Sequence, residues 1–591
     1  MEYRRTDLLS DRLEKKISTW QLAYQKTLDQ RLTLGILFVS ALIAAAIFRN
    51  LIVLQFFAFL VFPAAFIFCT RKSTNISKFV KNLTLLNEFF KRQNSRKAGL
   101  AIENGKAHLL KVPSPFNEDL DLFHFHGAFN QLDETLTSKG RDKLAAWMTA
   151  NETDAAEIQK RQRIVKALAQ QHWQVTRLIL IGRNSANTES AQLHLEDFAH
   201  RPFLEPSFNR DLKILLFLFT LSIIGFLQAI NLNLWNPALF PLLHFFYFLY
   251  SSAQLKASLS RAQDLEIQLG HLIPILRKLE LFSLPEFAQD LLKNIKKMAP
   301  SKQLKSLGFI SSALSVQAHP VVYFVLNGLL PWSFFFTHLL ERQRCKLKSV
   351  IGPCLDEVAT FEAYMSLALV YKYQSQTMPQ LNDSPSFSTT GLRHPLIDQS
   401  RAVTNDFTLR ENTHLNLITG SNMAGKSTFL RTVGVNHVLM QMGAPVFART
   451  YHTFPFKLAT CIRVSDSLEN GFSYFYSEVI RLKEIIDLAT KPEPTLYLID
   501  EIFRGTNNRE RLEGSKALLN VLSKTHGIGF VSTHDLELTQ LANGNNLIDN
   551  FHFRDDIQGD ELVFSYKIIH GPCPTTNALK LMAKAGLPVQ Y

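Results

Sequence analysis

Two long apolar runs lie close to the N-terminus of the chain. Residues Leu32–Phe48 are all apolar or small, and in Leu51–Thr70 the only polar interruption is Gln55. Each run approaches the ~20 residues that a helix needs to cross the hydrocarbon layer of a bilayer. Because only Arg49 and Asn50 separate the two runs, the pattern predicts a transmembrane helical hairpin over residues 31–72.

The charges around this hairpin predict its orientation. A charge-rich segment, residues 1–30, precedes the first run, which distinguishes that run from a signal peptide. Arg31 flanks the hairpin on one side and Arg71 and Lys72 on the other, whereas the loop carries only Arg49. By the positive-inside rule, both ends of the hairpin are then cytoplasmic. We therefore expect a multi-pass protein of a bacterial-type inner (cytoplasmic) membrane.

A second pair of apolar runs, Ile214–Ile230 and Leu234–Tyr250, is joined by an uncharged linker and has cations on its flanks. This pattern predicts a second transmembrane hairpin over residues 211–256, with its ends on the same side as those of the first. Pro237 and Pro241 weaken the second member of the pair. A buried pair of helices in a soluble domain stays as the alternative.

A third apolar run, Val321–Leu340, contains Asn327, Pro331 and His338. As a single span it would carry the C-terminal half of the chain to the side opposite the N-terminus. We interpret it as a buried core helix, so that an even number of crossings keeps the C-terminal half cytoplasmic.

The segment between residues 415 and 430 reads as an apolar strand, a Gly-containing loop and a helix. Its loop fits the phosphate-binding pattern G-x-x-x-x-G-K-[ST] at every fixed position. Glycines let backbone N–H groups turn towards phosphate oxygens, and the following helix adds its positive end. Lys426 is expected to reach the β- and γ-phosphates of ATP, and the Ser427 hydroxyl to bind Mg²⁺. The predicted nucleotide-binding residues are Gly420, Ser421, Asn422, Met423, Ala424, Gly425, Lys426, Ser427 and Thr428.

Two further strand-like runs end in polar residues that suit the same chemistry. Leu496–Ile499 leads into Asp500, expected to hold Mg²⁺ through water, and Glu501, expected to polarise the attacking water. Gly529–Val531 leads to His534, which we place beside the γ-phosphate. A lone histidine is more often structural, but its spacing from two phosphate motifs favours a functional role. The pattern thus predicts Mg²⁺-dependent ATP hydrolysis with Glu501 and His534 as catalytic residues.

Composition and charge narrow the class of protein only in part. Of 591 residues, 46% are hydrophobic and 19% are charged. This composition is intermediate between that of a soluble enzyme and that of a transporter with many membrane spans. The formal charge of +13 and the pI near 9.3 suit either nucleic acid or the anionic cytoplasmic leaflet. The five cysteines lie far apart with no C-x-x-C pair, which is typical of reduced thiols in a cytosolic body.

Together the nucleotide motifs resemble those of the MutS family of DNA mismatch-repair ATPases, an ABC-type group. TGSNMAGKST resembles T-G-P-N-M-G-G-K-S-T, DEIFRGTN resembles D-E-x-G-R-G-T-S, and STHDLELTQLA resembles A-T-H-x-x-E-L. GFSYFYSEV resembles G-x-S-T-F-x-x-E, which implies that Ser473 contacts the nucleotide across a dimer. Arg393-His394-Pro395 and NALKLMAKAGLP resemble the opening and closing motifs of the family's ATPase domain. The resemblance implies an ATPase domain over residues 386–591 and a homodimer formed through it.

The resemblance also extends upstream of the ATPase domain. QLDETLTSKGRDKLAAWM, residues 131–148, and LDEVATFEAYMSLA, residues 355–368, resemble parts of the MutS core. This implies an all-α core over residues 128–210 and 257–385, interrupted by the second predicted hairpin. Residues 73–127 are assigned to a helical linker. The expected fold is therefore an α/β P-loop (ABC-type) ATPase domain at the C-terminus, preceded by an all-α MutS-like core with transmembrane helical hairpins.

Three departures from the family limit what the resemblance implies. Nothing before residue 128 resembles the mismatch-reading domain, and predicted membrane helices occupy that part of the chain. The aromatic residue that stacks on adenine in the family falls, by spacing, on Ala402. The second signature residue, threonine in the family, is Tyr474 here.

Two interpretations of function remain open. The first is a membrane-anchored MutS-family ATPase with a composite dimer site that also binds mismatched or branched DNA. The alternative is a mechanochemical ABC-type ATPase that acts on a membrane or a protein partner and has no DNA role. A basic run suits the first, although a solvated face or lipid contact explains it equally: Lys293, Lys296, Lys297, Lys302 and Lys305.

Overall fold

The structure is a computed structural model of the chain. It describes residues 3–47, 60–100, 116–185, 208–232, 239–252, 255–316, 320–374, 377–421, 424–463, 474–503, 507–558 and 561–574. The helices of the N-terminal part are α1 (Tyr3–Ile47), α2 (Phe62–Lys97), α3 (Ala128–Leu132), α4 (Ser138–Thr149), α5 (Ala155–Gln170), α6 (His172–Ser185), α7 (Phe208–Leu232) and α8 (Leu239–Ser251). They are followed by α9 (Leu255–Glu280), α10 (Lys293–Met298), α11 (Pro300–Ser315), α12 (Pro320–Leu329) and α13 (Trp332–Tyr373).

The C-terminal part alternates strands and helices. Its strands are β1 (Gln380–Leu381), β2 (Phe387–Leu392), β3 (Asn405–Thr408), β4 (Leu415–Thr419), β5 (Thr450–Thr453), β6 (Lys457–Cys461), β7 (Thr495–Asp500), β8 (Ile528–Ser532), β9 (Ile548–Gln558) and β10 (Glu561–His570). Its helices are α14 (Lys426–Gln441), α15 (Tyr474–Ala489) and α16 (Asn508–Leu522). The predicted division into a mostly helical N-terminal part and an α/β C-terminal part is confirmed.

The chain forms two compact units. Unit 1 consists of Met1–His172 and Glu362–Tyr591, and unit 2 of Trp173–Phe361. Unit 1 therefore combines segments from both ends of the chain.

A six-stranded sheet forms the centre of unit 1, in the order β10-β9-β4-β8-β7-β6. Its neighbours pair in parallel except β9 and β10, which are antiparallel. Every residue of β4, β7 and β8 is buried, as is typical of parallel strands covered on both faces. On one face the core joins Leu417, Tyr497 and Val531 of the sheet to Leu482 of α15 and Leu519 of α16. A second, four-stranded sheet has the order β1-β5-β2-β3.

The helices α1 and α2 pack against each other in antiparallel orientation at the N-terminal end of unit 1. Trp20 and Phe79 pack edge to face with ring centroids 5.0 Å apart, and Glu14 pairs with Lys91 at 2.6 Å. The predicted turn at Arg49 and Asn50 lies outside the described residues. The distal half of α1 exposes a row of apolar side chains: Leu32, Ile36, Val39, Ile43 and Ile47.

Buried polar contacts join α2, the start of α4 and α13 within unit 1. Arg96 of α2 and Glu134 form an ion pair at 2.5 Å in which neither side chain is exposed. Thr137 caps α4 by accepting a hydrogen bond from Gly140 N–H. Thr137 in turn donates from its hydroxyl to Glu362 Oε2 at 2.8 Å. Residues 116–127, assigned from the sequence to a helical linker, form turns instead of a helix.

The secondary structure described in unit 2 is helical, with short loops such as residues 281–285 between the helices. A core of Phe208, Leu215, Phe248, Leu255 and Phe334 joins α7, α8, α9 and α13. Of the second predicted hairpin, α8 has 13 residues and is therefore ~20 Å long, shorter than the ~30 Å hydrocarbon layer.

The interpretation of Val321–Leu340 as one buried core helix is wrong. The run is divided between α12 and α13, which meet at an angle of 85°, because Pro331 cannot continue the first helix. Val321 and Leu329 of α12 are 63% and 67% exposed. Among the described helices, α1 alone is long and apolar enough to cross a membrane, or two are if α12 and α13 count as one broken span.

Candidate nucleotide site

Three parallel strands bring the predicted motifs to one edge of the six-stranded sheet. β8 lies between β4 and β7, with Ile418 and Asp500 both in register with Ser532. The loop after β4 begins at Gly420, Glu501 directly follows β7, and His534 lies two residues beyond the end of β8. Since carboxyl ends of parallel strands share an edge, the phosphate loop, the carboxylates and the histidine lie together.

The loop between β4 and α14 has the backbone that phosphate binding requires. Gly420 and Gly425 have φ of +137° and +108°, a left-handed region that favours glycine. A Cβ at Gly420 would lie 2.5 Å from the carbonyl oxygen of Phe553. Lys426 begins α14 and is buried, and its Nζ donates to the carbonyls of Gly420 and Ser421 at 2.5 and 2.9 Å. The ammonium therefore lies inside the loop, at the positive end of the helix.

The remaining predicted loop residues lie as follows. Ala424 is buried, and Ser427 and Thr428 are in the first turn of α14. The buried hydroxyl of Ser421 has no hydrogen-bond partner within the described part of the chain. Asn422, Met423 and the signature residue Ser473 fall outside the described residues, so their roles stay predictions.

The two carboxylates after β7 differ in environment. Asp500 is 7% exposed and accepts a hydrogen bond from the Ser532 hydroxyl. Glu501 has φ of +56°, and its Oε1 lies 3.6 Å from Nδ1 of the half-exposed His534. Backbone strain in a residue of this type persists only where the surroundings impose it, and it is concentrated at functional sites. The geometry therefore brings Glu501 and His534 together as a pair and leaves Asp500 buried beside them.

A cavity of about 260 Å³ lies next to the phosphate loop in unit 1. Its lining includes Ala402, Thr428, Phe553, Tyr566 and His394. Tyr566 has φ of +51° and is 44% exposed, and its Cδ1 would lie 3.2 Å from a Cβ at Gly425. The size and apolar lining suit a planar base held beside its phosphates.

His394 in this cavity is a neutral group. Burial, and next the nearby Arg431 guanidinium, lower the pKa of His394 to about 4. Its Nδ1 accepts a hydrogen bond from Leu396 N–H at 3.2 Å, so Nε2 carries the proton. The ring therefore provides one fixed donor throughout the physiological range of pH.

Ala402, on which the family's stacking residue falls by spacing, lines this cavity, and so does Tyr566, which no sequence motif indicates. The residue lies on β10, far along the chain from the loop, and the run LVFSYKII reads only as an alternating strand. A positive φ at a bulky residue, which marks the site in the structure, leaves no trace in the sequence.

These residues fit Mg²⁺ and a nucleoside triphosphate. The Ser421 hydroxyl, which has no partner among the described residues, and the buried Lys426 ammonium supply donors for phosphate oxygens. No cluster of three or more His, Cys, Asp or Glu ligands occurs among the described residues. Mg²⁺ in phosphate-binding sites needs only one or two protein ligands besides water and phosphate, and Ser427 and Asp500 supply that number.

Comparison with known proteins agrees with the geometry. Residues 416–591 match the family model described as MutS domain V. The chain is 30% identical over 240 residues to the DNA mismatch repair protein MutS of Staphylococcus haemolyticus, covering 40% of this chain and 27% of that protein. The protein of the same name from Lachnoclostridium phytofermentans is 31% identical over 243 residues, 39% of this chain and 26% of its own. The matched part of the chain thus spans about a quarter of the length of these relatives.

Proposed function

This chain belongs to the MutS family, and from that premise we propose that it is an ATPase whose ABC-type domain, residues 386–591, binds and hydrolyses ATP with Mg²⁺. The observation that carries the proposal is the meeting of three strand ends at one sheet edge. They bring Lys426, Glu501 and His534 together beside a cavity that suits a base. No described site elsewhere in unit 1 combines a phosphate loop with an acid and a histidine.

Binding uses the loop and the cavity. Lys426 and the backbone N–H groups from Gly420 to Thr428 contact the phosphates, with the Ser421 hydroxyl as a further donor. The base enters the cavity between the loop and β10, where Tyr566 provides an aromatic face. Ala402 offers only a methyl group at the position where the family has its stacking residue.

Hydrolysis uses the groups at the ends of β7 and β8. Glu501 orients the attacking water and accepts its proton, and His534 donates a hydrogen bond towards the γ-phosphate. Ser427 and Asp500 hold Mg²⁺, which when bound neutralises charge on the phosphate oxygens. The Ser532 hydroxyl fixes the orientation of the Asp500 carboxylate by donating to it.

The complete site is composite. Ser473 of one copy contacts the nucleotide of another in a homodimer formed through the ATPase domains. The first turns of α15, which follow Ser473 directly, expose Phe475, Tyr476 and Ile480. Exposed aromatic residues of this kind are enriched at protein interfaces, which supports the proposal.

The hairpin of α1 and α2 anchors the protein in a bacterial-type inner membrane, with the N-terminus and the ATPase domain in the cytoplasm. The exposed apolar row of α1 and its length support this anchor. Reporter fusions at residues 50, 232 and 591 test the proposed multi-pass topology. The reporter at 591 should be active only inside the cell and the other two only outside.

DNA binding is the further part of the proposed function. The relatives are named as DNA mismatch repair proteins, and the five lysines of α10 and α11 are all exposed in unit 2. A gel shift with homoduplex, mismatched and branched DNA at ~50 mM salt tests this directly. If no DNA is bound, the alternative holds: a mechanochemical ATPase acting on a membrane or a protein partner.

The ATPase proposal is tested with the purified full chain by nucleotide titration and phosphate release. Lys426→Ala should weaken ATP binding by at least about tenfold. Glu501→Gln should bind ATP within about threefold of wild type and lose turnover by about 10²-fold or more. Glu513→Gln, a 69% exposed carboxylate on α16, is the control and should match wild type. Wild-type turnover in Glu501→Gln would show that its assigned role is wrong, and no turnover in the wild type would overturn the function.

A further inference from the structure

Residues Phe116–Phe123, here called the strap, lie upstream of the predicted core but pack against the sheet of unit 1. Their backbone forms turns, and four apolar side chains are buried: Phe116, Leu120, Leu122 and Phe123. A methyl group added at Gly434, in the middle of α14, would lie 2.6 Å from Leu120 Cδ2. The strap therefore lies directly on the helix that begins with Lys426.

The centre of the strap is Asp119, whose side chain has no exposed surface. Its Oδ2 accepts from the Thr460 hydroxyl at 2.5 Å and from Arg481 Nη2 at 2.7 Å. Its Oδ1 accepts from Arg463 N–H at 2.7 Å, and its backbone carbonyl accepts from Arg431 Nε at 3.0 Å. One strap residue thus binds α14, the segment that ends β6, and α15.

Both oxygens of the buried Asp119 carboxylate accept hydrogen bonds, so Asp119 holds its partners at the end of β6 and on α15 in fixed positions. Burying an ion is costly unless its lone pairs are filled and its partner is well oriented. Asp119 meets both conditions, and Arg481 also donates from Nη1 to the Arg463 carbonyl at 2.6 Å. Removing the charge at residue 119 leaves the Arg481 guanidinium with a weaker acceptor, so that the link between α15 and the end of β6 depends mainly on the bond from Arg481 to the Arg463 carbonyl.

A second contact of α15, made by Glu478, reaches the turn after β7 that contains Glu501 and Phe503. Glu478 lies one turn before Arg481 on α15 and is 2% exposed. Its Oε1 accepts from the backbone N–H of Phe503 at 2.7 Å. Phe503 and Glu501 have φ of +58° and +56°, so this turn holds two strained residues. The position of α15 therefore bears on the conformation that presents Glu501 to His534.

We propose that Asp119 is a positioning residue for hydrolysis: through Arg481 and α15 it fixes Glu478, and through Glu478 it fixes the turn that carries Glu501. The inference rests on the proposed ATPase function and adds to it a residue from outside residues 386–591. Among the described residues, Asp119 contacts neither the phosphate loop nor the lining of the cavity beside it. Its loss therefore lowers kcat and leaves the KM for ATP nearly unchanged, because misplacing a reacting group costs rate before it costs binding.

The test compares Asp119→Asn with Glu118→Gln in the purified full chain. Both replace a carboxylate by an amide on adjacent residues of the strap, but Glu118 is exposed. We expect Asp119→Asn to lower kcat about tenfold or more with KM and ATP affinity within about threefold of wild type. Glu118→Gln should keep wild-type values of all three.

Two milder variants keep the test decisive where Asp119→Asn does not fold. Thr460→Val removes one donor to Asp119, and Arg481→Lys keeps the charge but loses the two-pronged contact. Each should lower kcat about threefold or more at constant KM. The double variant Asp119→Asn/Glu478→Gln should lose less than the product of the single losses, since both residues act through one connection.

The outcomes separate the two proposals. Turnover in the wild type with an unchanged kcat in the folded variants would overturn this inference and leave the ATPase function standing. A parallel rise of KM with the fall of kcat would also overturn it, because that pattern indicates general loss of structure. An inactive wild type would overturn both.

Discussion

Replacing Tyr566 by alanine should weaken ATP binding by removing a contact with the base. The contacts between the phosphate loop and the phosphates of ATP should stay unchanged. The Tyr566 ring lines the cavity next to the loop, with Cδ1 close to Gly425, and its side chain is 44% exposed. Ala402, also at the cavity, cannot stack. Tyr566 therefore provides most of the exposed aromatic surface that a base can meet.

The magnitude follows from the stacking surface. A base on an aromatic side chain gains about 1–3 kcal/mol, and each 1.4 kcal/mol is a factor of ten in Kd. A single partly exposed ring places the effect in the lower half of this range. Tyr566→Ala should therefore raise the Kd for ATP about tenfold, and Tyr566→Phe, which keeps the ring, should leave it within about twofold.

The assay is competition against a fluorescent nucleotide, with ATP and inorganic tripolyphosphate as the two competitors. The loss caused by Tyr566→Ala should appear for ATP and be absent for tripolyphosphate, which has no base. Equal weakening of both ligands, or an unchanged Kd for ATP, would refute the assignment of the cavity to the base.

Three further predictions concern stability and are checked by thermal unfolding of the full chain, together with ATP titration for the second. Burial raises the pKa of Glu362 to about 7 from 4.5, so its contribution is fully present below pH 4.5 and is lost as pH rises through 7. Glu362→Gln should flatten this dependence, which amounts to on the order of 3 kcal/mol at most, and an unchanged pH profile would contradict the reasoning. Gly420→Ala should lower the melting temperature and abolish ATP binding, because its Cβ meets the Phe553 carbonyl at 2.5 Å; wild-type binding would show that the loop adapts. Arg96→Met should cost about 3–5 kcal/mol, and adding Glu134→Gln should restore part of it, because a lone buried charge is worse than none; a double variant no more stable than the single would argue against this.

The phosphate loop could be predicted from the sequence because its chemistry is local. Gly420, Gly425 and Lys426 lie within one short segment, and strand β4 and helix α14 flank it as the pattern requires. The order of the strands could not be predicted, since β8 lies between β4 and β7 only through pairing over long distances in the chain. The assignment of Glu501 and His534 to one nucleotide site therefore depended on an assumption about this order.

Other parts of the site had no local signal at all. Asp119 and Arg481 are 362 positions apart and belong to no shared pattern, so their contact could not be foreseen. The error at Val321–Leu340 was different in kind. Pro331 was visible in the middle of the run, and a proline in a helical pattern predicts a break.

The strap also has a consequence for the way the protein is made. At ~5–20 residues per second, a ribosome completes Arg481 roughly 20–70 s after Asp119. For most of this interval Leu120 lacks α14, and for all of it Asp119 lacks Arg481, so unit 2 is synthesised before these partners exist. The nucleotide site therefore forms late in synthesis, when α14, β6 and α15 pack against the strap, which is synthesised much earlier. Chaperone binding and proteolysis of the nascent chain should therefore be most frequent in this interval. The contacts of Asp119 with Thr460, Arg463 and Arg481 are among the last to form.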